Sequence, residues 1–236
     1  MKHTILLAIA CLLLALAPAS GQKIIEKNLP YTKGQKVELN LKFGDKIQVN
    51  AWDKNEVYIK AEVLINSGKL NDALIMNFTS DKEEISVLAD FDKELIKKGK
   101  REDCPPSEDG SFWGYHDGNN YVCSEITYQI FLPKGADLKI ETISANIELK
   151  DLTGPVFAKS ISGFVDMNWP AGKGASVAMK SITGELYSDL DIAYLNKKDT
   201  PQHVGYLLKG TVNGGGPEVY LESISNDIYL RKAGKQ

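Results

Sequence analysis

The sequence is poor in histidine and arginine. Its 236 residues include three histidines (His3, His116 and His203) and two arginines (Arg101 and Arg231). General-base catalysis at neutral pH is therefore poorly supplied, and guanidinium groups for phosphate recognition are scarce. The chain also lacks a Gly-x-Ser-x-Gly elbow, a phosphate-binding P-loop and a His-Glu-x-x-His motif. These absences argue against an enzyme and against a bound cofactor.

The chain has one long apolar run, which lies at the N-terminus. Lys2 precedes the run TILLAIACLLLALA and the small residues PASG follow it, the pattern of a secretory signal peptide. The run is shorter than the ~20 residues of a membrane span, and cleavage after Gly21 is favoured over Ala19. Cys11 is disfavoured as a lipoprotein acceptor, because cleavage before it would leave LLLALAP at the new terminus. We expect residues 22–236 to be exported to the periplasm or the cell surface, without a transmembrane span.

Neither sign of charge dominates the exported part. Removing Lys2 from the 28 basic residues leaves 27 against 31 acidic ones, a net charge of −4. This balance gives no indication of nucleic acid or an anionic membrane as a partner.

Cysteine is also scarce, with Cys104 and Cys123 left after the signal peptide. In an exported protein such a pair is most simply a disulfide, which would stabilise the fold by about 3 kcal/mol in the chain-entropy model. A metal site is the alternative, but it lacks partners, since only His116 and His203 remain and His203 is distant in sequence. We therefore predict a disulfide and no metal.

Alternation of apolar and polar residues fills most of the segment from Gln35 to Asp92. The stretches KVELNLKF, KIQVNAW and EVYIKAEVLI each place their apolar residues on one face, as half-buried strands do. The one helical candidate, DKELIKKGK at 92–100, is short. Residues 22–133 are therefore predicted to form a set of strands that contains a disulfide loop at 92–123.

The loop at 99–120 is rich in proline, glycine and acidic residues, and it carries Phe112, Trp113 and Tyr115. Aromatic side chains on a cross-linked loop are suited to stacking on sugars or anchoring a protein partner, so these three are candidate ligand-binding residues. The alternative is that they cover an open end of the strand array.

A nine-residue motif occurs four times in the second half of the chain. The copies are ETISANIEL (141–149), KSISGFVDM (159–167), KSITGELYS (180–188) and ESISNDIYL (222–230), each preceded by an apolar-x-apolar pair. Their spacings are 18, 21 and 42 residues, and 42 equals two intervals of 21. A period near 20 with strand alternation is typical of a solenoid. We therefore predict repeated coils over 134–236.

Within each copy the alternation shifts once, which predicts a corner between two short strands. We expect the isoleucines to stack through the core, and small residues two positions later to permit close backbone approach. The hydroxyls should satisfy one another and the corner amides, the alternative being a strip that binds sugar hydroxyls. The isoleucines are Ile143, Ile161, Ile182 and Ile224, the small residues are Ala145, Gly163, Gly184 and Asn226, and the hydroxyl residues are Thr142, Ser160, Ser181 and Ser223 followed by Ser144, Ser162, Thr183 and Ser225.

Three stretches together resemble a bacterial β-strand-repeat family named "putative adhesins". They are FGDKIQVNAWDKNEVYIKAEV, FLPKGADLKIETISANIELKDLTG and GGGPEVYLESISNDIYLRK, in that order, and the resemblance spans about residues 36–232. It implies a right-handed, mostly parallel β coil in the cell envelope. The chain departs from the family pattern in the cysteine-bearing insertion at 92–120, and in having Ala145 and Asn226 where glycine is commoner.

Aligning the copies places outward side chains in two columns. The columns are Asn146, Phe164, Glu185 and Asp227, and Glu148, Asp166, Tyr187 and Tyr229. Glu148 and Asp166 would be neighbours about 5 Å apart, near the carboxylate spacing of retaining glycosidases. Exposed acids on neighbouring strands are common, however, and neither column contains histidine or arginine.

The sequence therefore predicts an all-β single domain over 22–236. We expect a right-handed β-helix or solenoid-like coil stack, preceded by an N-terminal set of alternating strands that continues into it. We expect a non-enzymatic envelope protein that binds a glycan or an extracellular or periplasmic protein. The alternatives are a polysaccharide-active enzyme that uses Glu148 and Asp166, and a periplasmic sensing or regulatory partner.

Overall fold

The computed structural model describes residues 21–104, 121–195 and 205–234, and these form an all-β structure. Residues 1–20 of the predicted signal peptide and the loop residues Phe112, Trp113 and Tyr115 lie outside the described residues. The strands are β1 (Lys23–Pro30), β2 (Lys36–Leu41), β3 (Lys46–Trp52), β4 (Glu56–Ile65), β5 (Leu74–Ser80), β6 (Glu84–Phe91), β7 (Ser124–Pro133), β8 (Asp137–Thr142), β9 (Asn146–Lys150), β10 (Val156–Ser160), β11 (Val165–Trp169), β12 (Ala175–Ser181), β13 (Leu186–Ser188), β14 (Ile192–Tyr194), β15 (Leu208–Val212), β16 (Glu218–Ser223) and β17 (Ile228–Lys232).

The strands form two mixed sheets. Sheet A has the order β1-β4-β7-β3-β9-β11-β17-β13, and sheet B has the order β14-β15-β12-β16-β10-β8-β2-β6-β5. Along the strands, buried and half-exposed side chains alternate, and the buried side chains of both sheets belong to one hydrophobic cluster. The alternation predicted for the N-terminal strands is confirmed.

Five strand pairs, each with one strand in sheet B and the next in sheet A, are stacked in parallel. We call them unit 1 (β2 and β3), unit 2 (β8 and β9), unit 3 (β10 and β11), unit 4 (β12 and β13) and unit 5 (β16 and β17). Unit 5 lies between units 3 and 4, because β16 pairs with both β10 and β12 and β17 pairs with both β11 and β13. The interval of 42 residues therefore does not continue the stack in chain order; β14 and β15, which lie within it, pair antiparallel at the far edge of sheet B.

The predicted corner is present, but the isoleucines do not pass through the core. In unit 2, Thr142 and Ala145 are buried, whereas Ile143 between them is only half-buried. The exposed fraction of Ile161, at the same position of unit 3, is 38%. The prediction of a core ladder was wrong because the inward set resumes at the small residue, not at the isoleucine, so the isoleucine lies on the outside of the turn.

The buried element at the corner is the first hydroxyl of each copy. The Ser160 hydroxyl accepts a hydrogen bond from the amide of Gly163 (2.8 Å) and donates to the carbonyl of Ala145 in the neighbouring unit (2.9 Å). Ser223 repeats this arrangement, with the amide of Asn226 (3.0 Å) and the carbonyl of Gly163 (2.9 Å). The prediction that these hydroxyls satisfy the corner amides is confirmed, but Ser160 and Ser223 donate to backbone carbonyls and not to another hydroxyl as predicted.

The residue two positions after each isoleucine is small because the backbones of adjacent corners touch there. A Cβ on Gly163 would lie 2.0 Å from the carbonyl oxygen of Ala145, and one on Gly184 would lie 2.2 Å from that of Asn226. Such distances are far inside van der Waals contact, so the close approach predicted for these positions is confirmed.

A disulfide joins Cys104 to Cys123, with their Cα atoms 5.8 Å apart. The buried Asn66 supports it, since the amide N–H of Cys123 donates to Asn66 Oδ1 (3.0 Å) and Asn66 Nδ2 donates to the carbonyl of Tyr121 (2.9 Å). The predicted short helix is a single turn, α1 (Lys93–Ile96), which Asp92 caps by accepting from two backbone amides. Within the three described segments, no helix has the length and apolar character to cross a membrane.

Candidate functional site

A row of outward side chains crosses sheet A from unit 1 to unit 4. The strand register aligns Gln48 with Glu148, Glu148 with Asp166, Asp166 with Tyr229, and Tyr229 with Tyr187. The predicted column and the predicted neighbours Glu148 and Asp166 are therefore confirmed. The order of the two tyrosines is reversed relative to the chain, because unit 5 is inserted before unit 4.

Glu148 is neutralised by cations of its own sheet. Lys46 Nζ lies 2.8 Å and Lys150 Nζ 3.9 Å from its carboxylate, and Gln48 Nε2 donates to it at 3.2 Å. Burial would raise the pKa of Glu148. The hydrogen bonds from Lys46 and Gln48, together with the positive charge of Lys46, outweigh burial and hold the pKa below its usual value. Glu148 is therefore an ionised, fully engaged carboxylate.

Asp166 differs from its neighbour in the direction of its pKa. The pKa of Asp166 is raised by burial, which outweighs the opposing charge of Arg231, and the charge of Glu148 raises it further. Its carboxylate nevertheless forms an ion pair with Arg231 at 3.1 Å. The column contains no arginine, but Arg231 stands two residues beyond Tyr229 on the same outward face of β17 and so reaches Asp166. Extending the alternation by two residues from Tyr229 would have identified Arg231 as this partner from the sequence.

The acid pair borders a depression of about 230 Å³ on the outer face of sheet A. Its lining residues are Glu148, Leu149, Lys150, Asp166, Asn168, Arg231 and Lys232. Lysine, arginine and asparagine surround the acids. The depression therefore offers a polar ligand hydrogen-bond donors and acceptors, and charges of both signs.

Three aromatic side chains form a cluster at the unit 4 end of the row. The rings of Tyr187 and Tyr229 stack at 5.1 Å with an interplanar angle of 9°, and Phe164 meets Tyr229 edge-on at 6.3 Å. The Arg231 guanidinium lies 4.6 Å from the centroid of the Tyr229 ring. Tyr229 is thus enclosed by its neighbours.

Tyr187 is the open member of the cluster. It is 44% exposed, and no other aromatic residue in the described ranges is as exposed. One face of its ring stacks on Tyr229, and β13 is the last strand of sheet A in the part of the chain that the structure describes. No other described ring stacks on the second face of Tyr187, so that face can stack on a ligand.

Carboxylates hold both tyrosine hydroxyls. Tyr187 donates to Glu185 (2.5 Å) and Tyr229 donates to Asp227 (2.9 Å). The hydrogen bond to Glu185, with burial and nearby negative charge, raises the pKa of Tyr187 to about 12, so the phenol stays neutral at physiological pH. The bond also fixes the orientation of the exposed ring.

A second aromatic cluster on sheet A has a structural role. Trp52 Nε1 donates to the carbonyl of Glu56 (2.9 Å), Phe131 stacks on the Trp52 ring at 5.3 Å, and Lys54 lies 4.6 Å from its centroid. These contacts occupy the Trp52 ring and tie together the β3–β4 turn, which leaves little of the ring for a ligand.

The outer face of sheet B carries a comparable stack that is more enclosed. Phe157 and Tyr220 stack at 5.0 Å, and the Tyr220 hydroxyl donates to Glu222 at 2.8 Å. Glu222 is 7% exposed and lies 3.5 Å from Lys159. Burial and the Glu222 hydrogen bond raise the pKa of Tyr220 to about 12. Tyr220 therefore matches Tyr187 in chemistry but not in exposure.

Metal ligands are not grouped in the described segments, where no three histidine, cysteine, aspartate or glutamate side chains are placed to hold an ion together.

Comparison with known proteins gives a fold but no family. No family model matches the chain, and no curated protein matches it. The structure is similar to that of a "putative cell adhesion protein" from Clostridium sporogenes ATCC 15579, with a TM-score of 0.52 and 11% identity over 90% of this chain and 100% of that one. At this identity the similarity shows the fold alone.

Two further solved structures align less well. A "putative adhesin" from Bacteroides fragilis NCTC 9343 gives a TM-score of 0.28 at 10% identity, over 88% of this chain and 97% of that one. A "putative lipid binding protein" from Parabacteroides distasonis ATCC 8503 gives 0.27 at 11% identity, over 91% and 97%. Membership of the β-strand-repeat family that the sequence resembles stays a prediction.

Proposed function

We propose that this chain is an exported, non-enzymatic binding module that binds a glycan on the outer face of sheet A, at the edge formed by β13. The observation that carries the proposal is the exposed ring of Tyr187, which is stacked on Tyr229 and oriented by Glu185. Binding sites combine a flat apolar surface with a few placed polar groups, and sugars offer apolar ring faces beside hydroxyls.

The polar groups around Tyr187 are suited to sugar hydroxyls. Glu185 and Thr183 are exposed on unit 4, and Asp166 and Arg231 lie along the same face toward unit 3. Carboxylate oxygens accept hydrogen bonds from hydroxyls, and Arg231 donates them. The carboxylates of Glu185 and Asp227 lie at the two stacked tyrosines, so a neutral glycan fits there better than an acidic one.

Export is supported by the disulfide and by the predicted signal peptide. Disulfides persist mainly in oxidising compartments, which include the bacterial periplasm and the cell surface. The parallel stacking of five units supports the finer fold proposal of a single right-handed β-helix-like domain over 22–236. The name of the C. sporogenes protein would fit a role in adhesion.

The test is a glycan panel probed with the chain lacking its signal peptide, with Tyr187→Ala and with Tyr220→Ala. Removing the exposed ring should weaken binding by about 2 kcal/mol, roughly thirtyfold, as at other aromatic anchors. Tyr220 also stacks on an aromatic ring and donates to a carboxylate, but on the outer face of sheet B, so Tyr220→Ala should retain binding. A panel without hits for the unaltered chain would contradict the function, and binding lost only in Tyr220→Ala would contradict the site.

The predicted loop site is a competing location for the same function. Phe112, Trp113 and Tyr115 remain candidate ligand-binding residues on the loop that the Cys104–Cys123 disulfide closes. A Trp113→Ala/Tyr115→Ala variant in the same panel separates the two locations. Loss of a hit in this variant but not in Tyr187→Ala would assign binding to the loop.

A second candidate function is hydrolysis of a polysaccharide by Glu148 and Asp166. It is favoured by their direct pairing on adjacent strands and by the opposite directions of their pKa shifts. It is disfavoured because ion pairs engage both carboxylates. Turnover of a panel glycan that disappears in Glu148→Gln/Asp166→Asn would establish the enzyme; binding without turnover supports the module.

A further inference from the structure

The two sheets have four edge strands in the described part of the chain, and three of them carry protection against adding another strand. β13 and β14 are three residues long. β1 contains Lys23, Glu26 and Lys27 and ends in Pro30. Short edges, charges and proline are the devices by which proteins prevent edge-to-edge association.

The fourth edge, β5, has none of these devices. Its sequence LIMNFTS is seven residues long, uncharged and free of proline, and among the described strands it pairs only with β6. Ile75 is 42% exposed on the outer face, and Leu88, which pairs with Asn77 on the same face of β6, is 36% exposed. The inward-facing Met76 and Phe78 remain only partly buried against the core. An uncharged edge strand with exposed apolar side chains is a template for a further strand.

We propose that β5 pairs antiparallel with β5 of a second copy of this chain, around a two-fold axis at Asn77, so that sheet B continues across a dimer. A two-fold interface must be self-complementary, because the same strand supplies both sides.

The sequence of β5 meets that requirement. An axis at Asn77 places Met76 opposite Phe78 of the second copy on the inner face, and Ile75 opposite Thr79 on the outer face. All seven residues then have a partner. A slip by one residue would set inward side chains against outward ones, and a slip by two would leave strand residues unpaired.

The flanking charges fit the same register. The antiparallel arrangement brings the start of one β5, which Asp72 precedes in a 3-10 turn, next to the end of the other β5, which Lys82 follows. Symmetry brings these opposite charges near each other twice. Asp72 also forms a salt bridge with Lys23 of its own chain at 2.6 Å, and Lys82 is exposed. No like charges oppose each other along β5 or at these flanking positions. A single strand pair is a small interface, so the dimer should dissociate on dilution.

Sedimentation of the chain without its signal peptide, over a wide range of concentrations, should show a reversible monomer–dimer equilibrium. Ile75→Glu/Thr79→Glu places glutamates directly opposite each other twice, and it should raise the dimer dissociation constant by about tenfold or more. The matched variant Ile75→Glu/Thr79→Lys sets opposite charges in the same pairs and should restore the dimer. Ile75→Glu sets an acid opposite Asp90 of its own chain in both variants, so equal unfolding midpoints of the two variants should show that they fold alike.

Cross-linking tests the register itself. Directly opposed residues of antiparallel strands have Cα atoms about 4.5–5.5 Å apart, within the range that a disulfide spans. Asn77→Cys should therefore form a covalent dimer under mild oxidation, and Asn28→Cys, at an exposed position of the β1 edge, should not. A chain that stays monomeric at all concentrations, or a dimer that is unaffected by Ile75→Glu/Thr79→Glu, would overturn the proposal. The former result would leave the β5 edge to a strand of a different protein.

Discussion

Unit 1 and the four repeated units turn the same corner between the sheets by different means. In the repeated units a buried hydroxyl binds an amide of its own corner, as Ser160 does with Gly163. In unit 1 the register aligns β2 with β8 and β3 with β9, but Leu41 stands in place of Thr142 and the connection is one residue longer. A hydroxyl at the turn is therefore not required for the chain to pass from sheet B to sheet A.

Distant side chains satisfy the first corner instead. The Tyr128 hydroxyl donates to the carbonyl of Phe43 (3.0 Å), and Asp45 Oδ2 accepts from the amide of Ile126 (2.7 Å). Ser144 of unit 2 donates to the carbonyl of Gly44 (2.9 Å). Where the neighbouring strand comes from a similar unit, one short motif satisfies both corners. In unit 1 the neighbour is β7, which belongs to none of the five units, so side chains outside the motif satisfy the corner.

The largest expected effect is a difference in stability between substitutions of a core isoleucine and of a corner isoleucine in the repeated units. Ile147→Ala removes a fully buried side chain from the core and should destabilise the protein by about 2–5 kcal/mol. Ile161→Ala alters a corner residue that is 38% exposed, so its cost should be under about 1 kcal/mol. Urea unfolding of both variants measures the difference. Equal losses of stability would restore the isoleucine ladder to the core.

A smaller effect is expected from filling the contact between corners. Gly163→Ala places a methyl group 2.0 Å from the Ala145 carbonyl oxygen, and the required backbone shift should cost about 1–3 kcal/mol. Gly172→Ala is the matched control, because a Cβ there meets no atom within 4 Å. Thermal unfolding of the two variants compares them; a Gly163→Ala protein as stable as the control would show that the corners do not touch.

The smallest effect is a pH dependence confined to the corner of unit 1. The pKa of Asp45 is raised chiefly by burial, against the opposing hydrogen bond from Ile126. A carboxyl with a raised folded-state pKa contributes stability that is present below its unfolded pKa and is lost as pH rises through the folded value. Asp45→Asn should therefore gain stability relative to the unaltered chain between acidic and neutral pH. Urea midpoints at several pH values test this, and a relative stability that falls with rising pH would contradict it.

Features governed by local rules could be predicted from the sequence. Alternation located the N-terminal strands, the shift in alternation located the corner, and the cysteine pair predicted the disulfide. The order of the units could not be predicted, because all copies present similar inward residues and any of them can stack on any other. The insertion of unit 5 between units 3 and 4 could not be inferred, because the sequence between the last two copies, residues 189–217, contains no repeat.

The candidate site divides in the same way. The column that contains Glu148, Asp166, Tyr187 and Tyr229 follows from aligning the copies, so the sequence predicted it correctly. The exposure of Tyr187 could not be predicted, because it depends on unit 4 being the end of sheet A. The alternative of a hydroxyl strip for sugars fails for the first hydroxyls, since Ser160 and Ser223 are fully buried.

The role of the motif's first hydroxyl is tested most directly by comparing Ser223→Ala with Ser225→Ala. Ser223 is fully buried and links the amide of Asn226 to the carbonyl of Gly163, so its loss leaves both groups unsatisfied and should cost about 1–3 kcal/mol. Ser225 is exposed, and its loss should change the free energy of unfolding by less than about 0.5 kcal/mol. A clear difference in urea unfolding is the expected result. Equal stabilities of the two variants would contradict the account, because the repeated hydroxyl would then not support the corner.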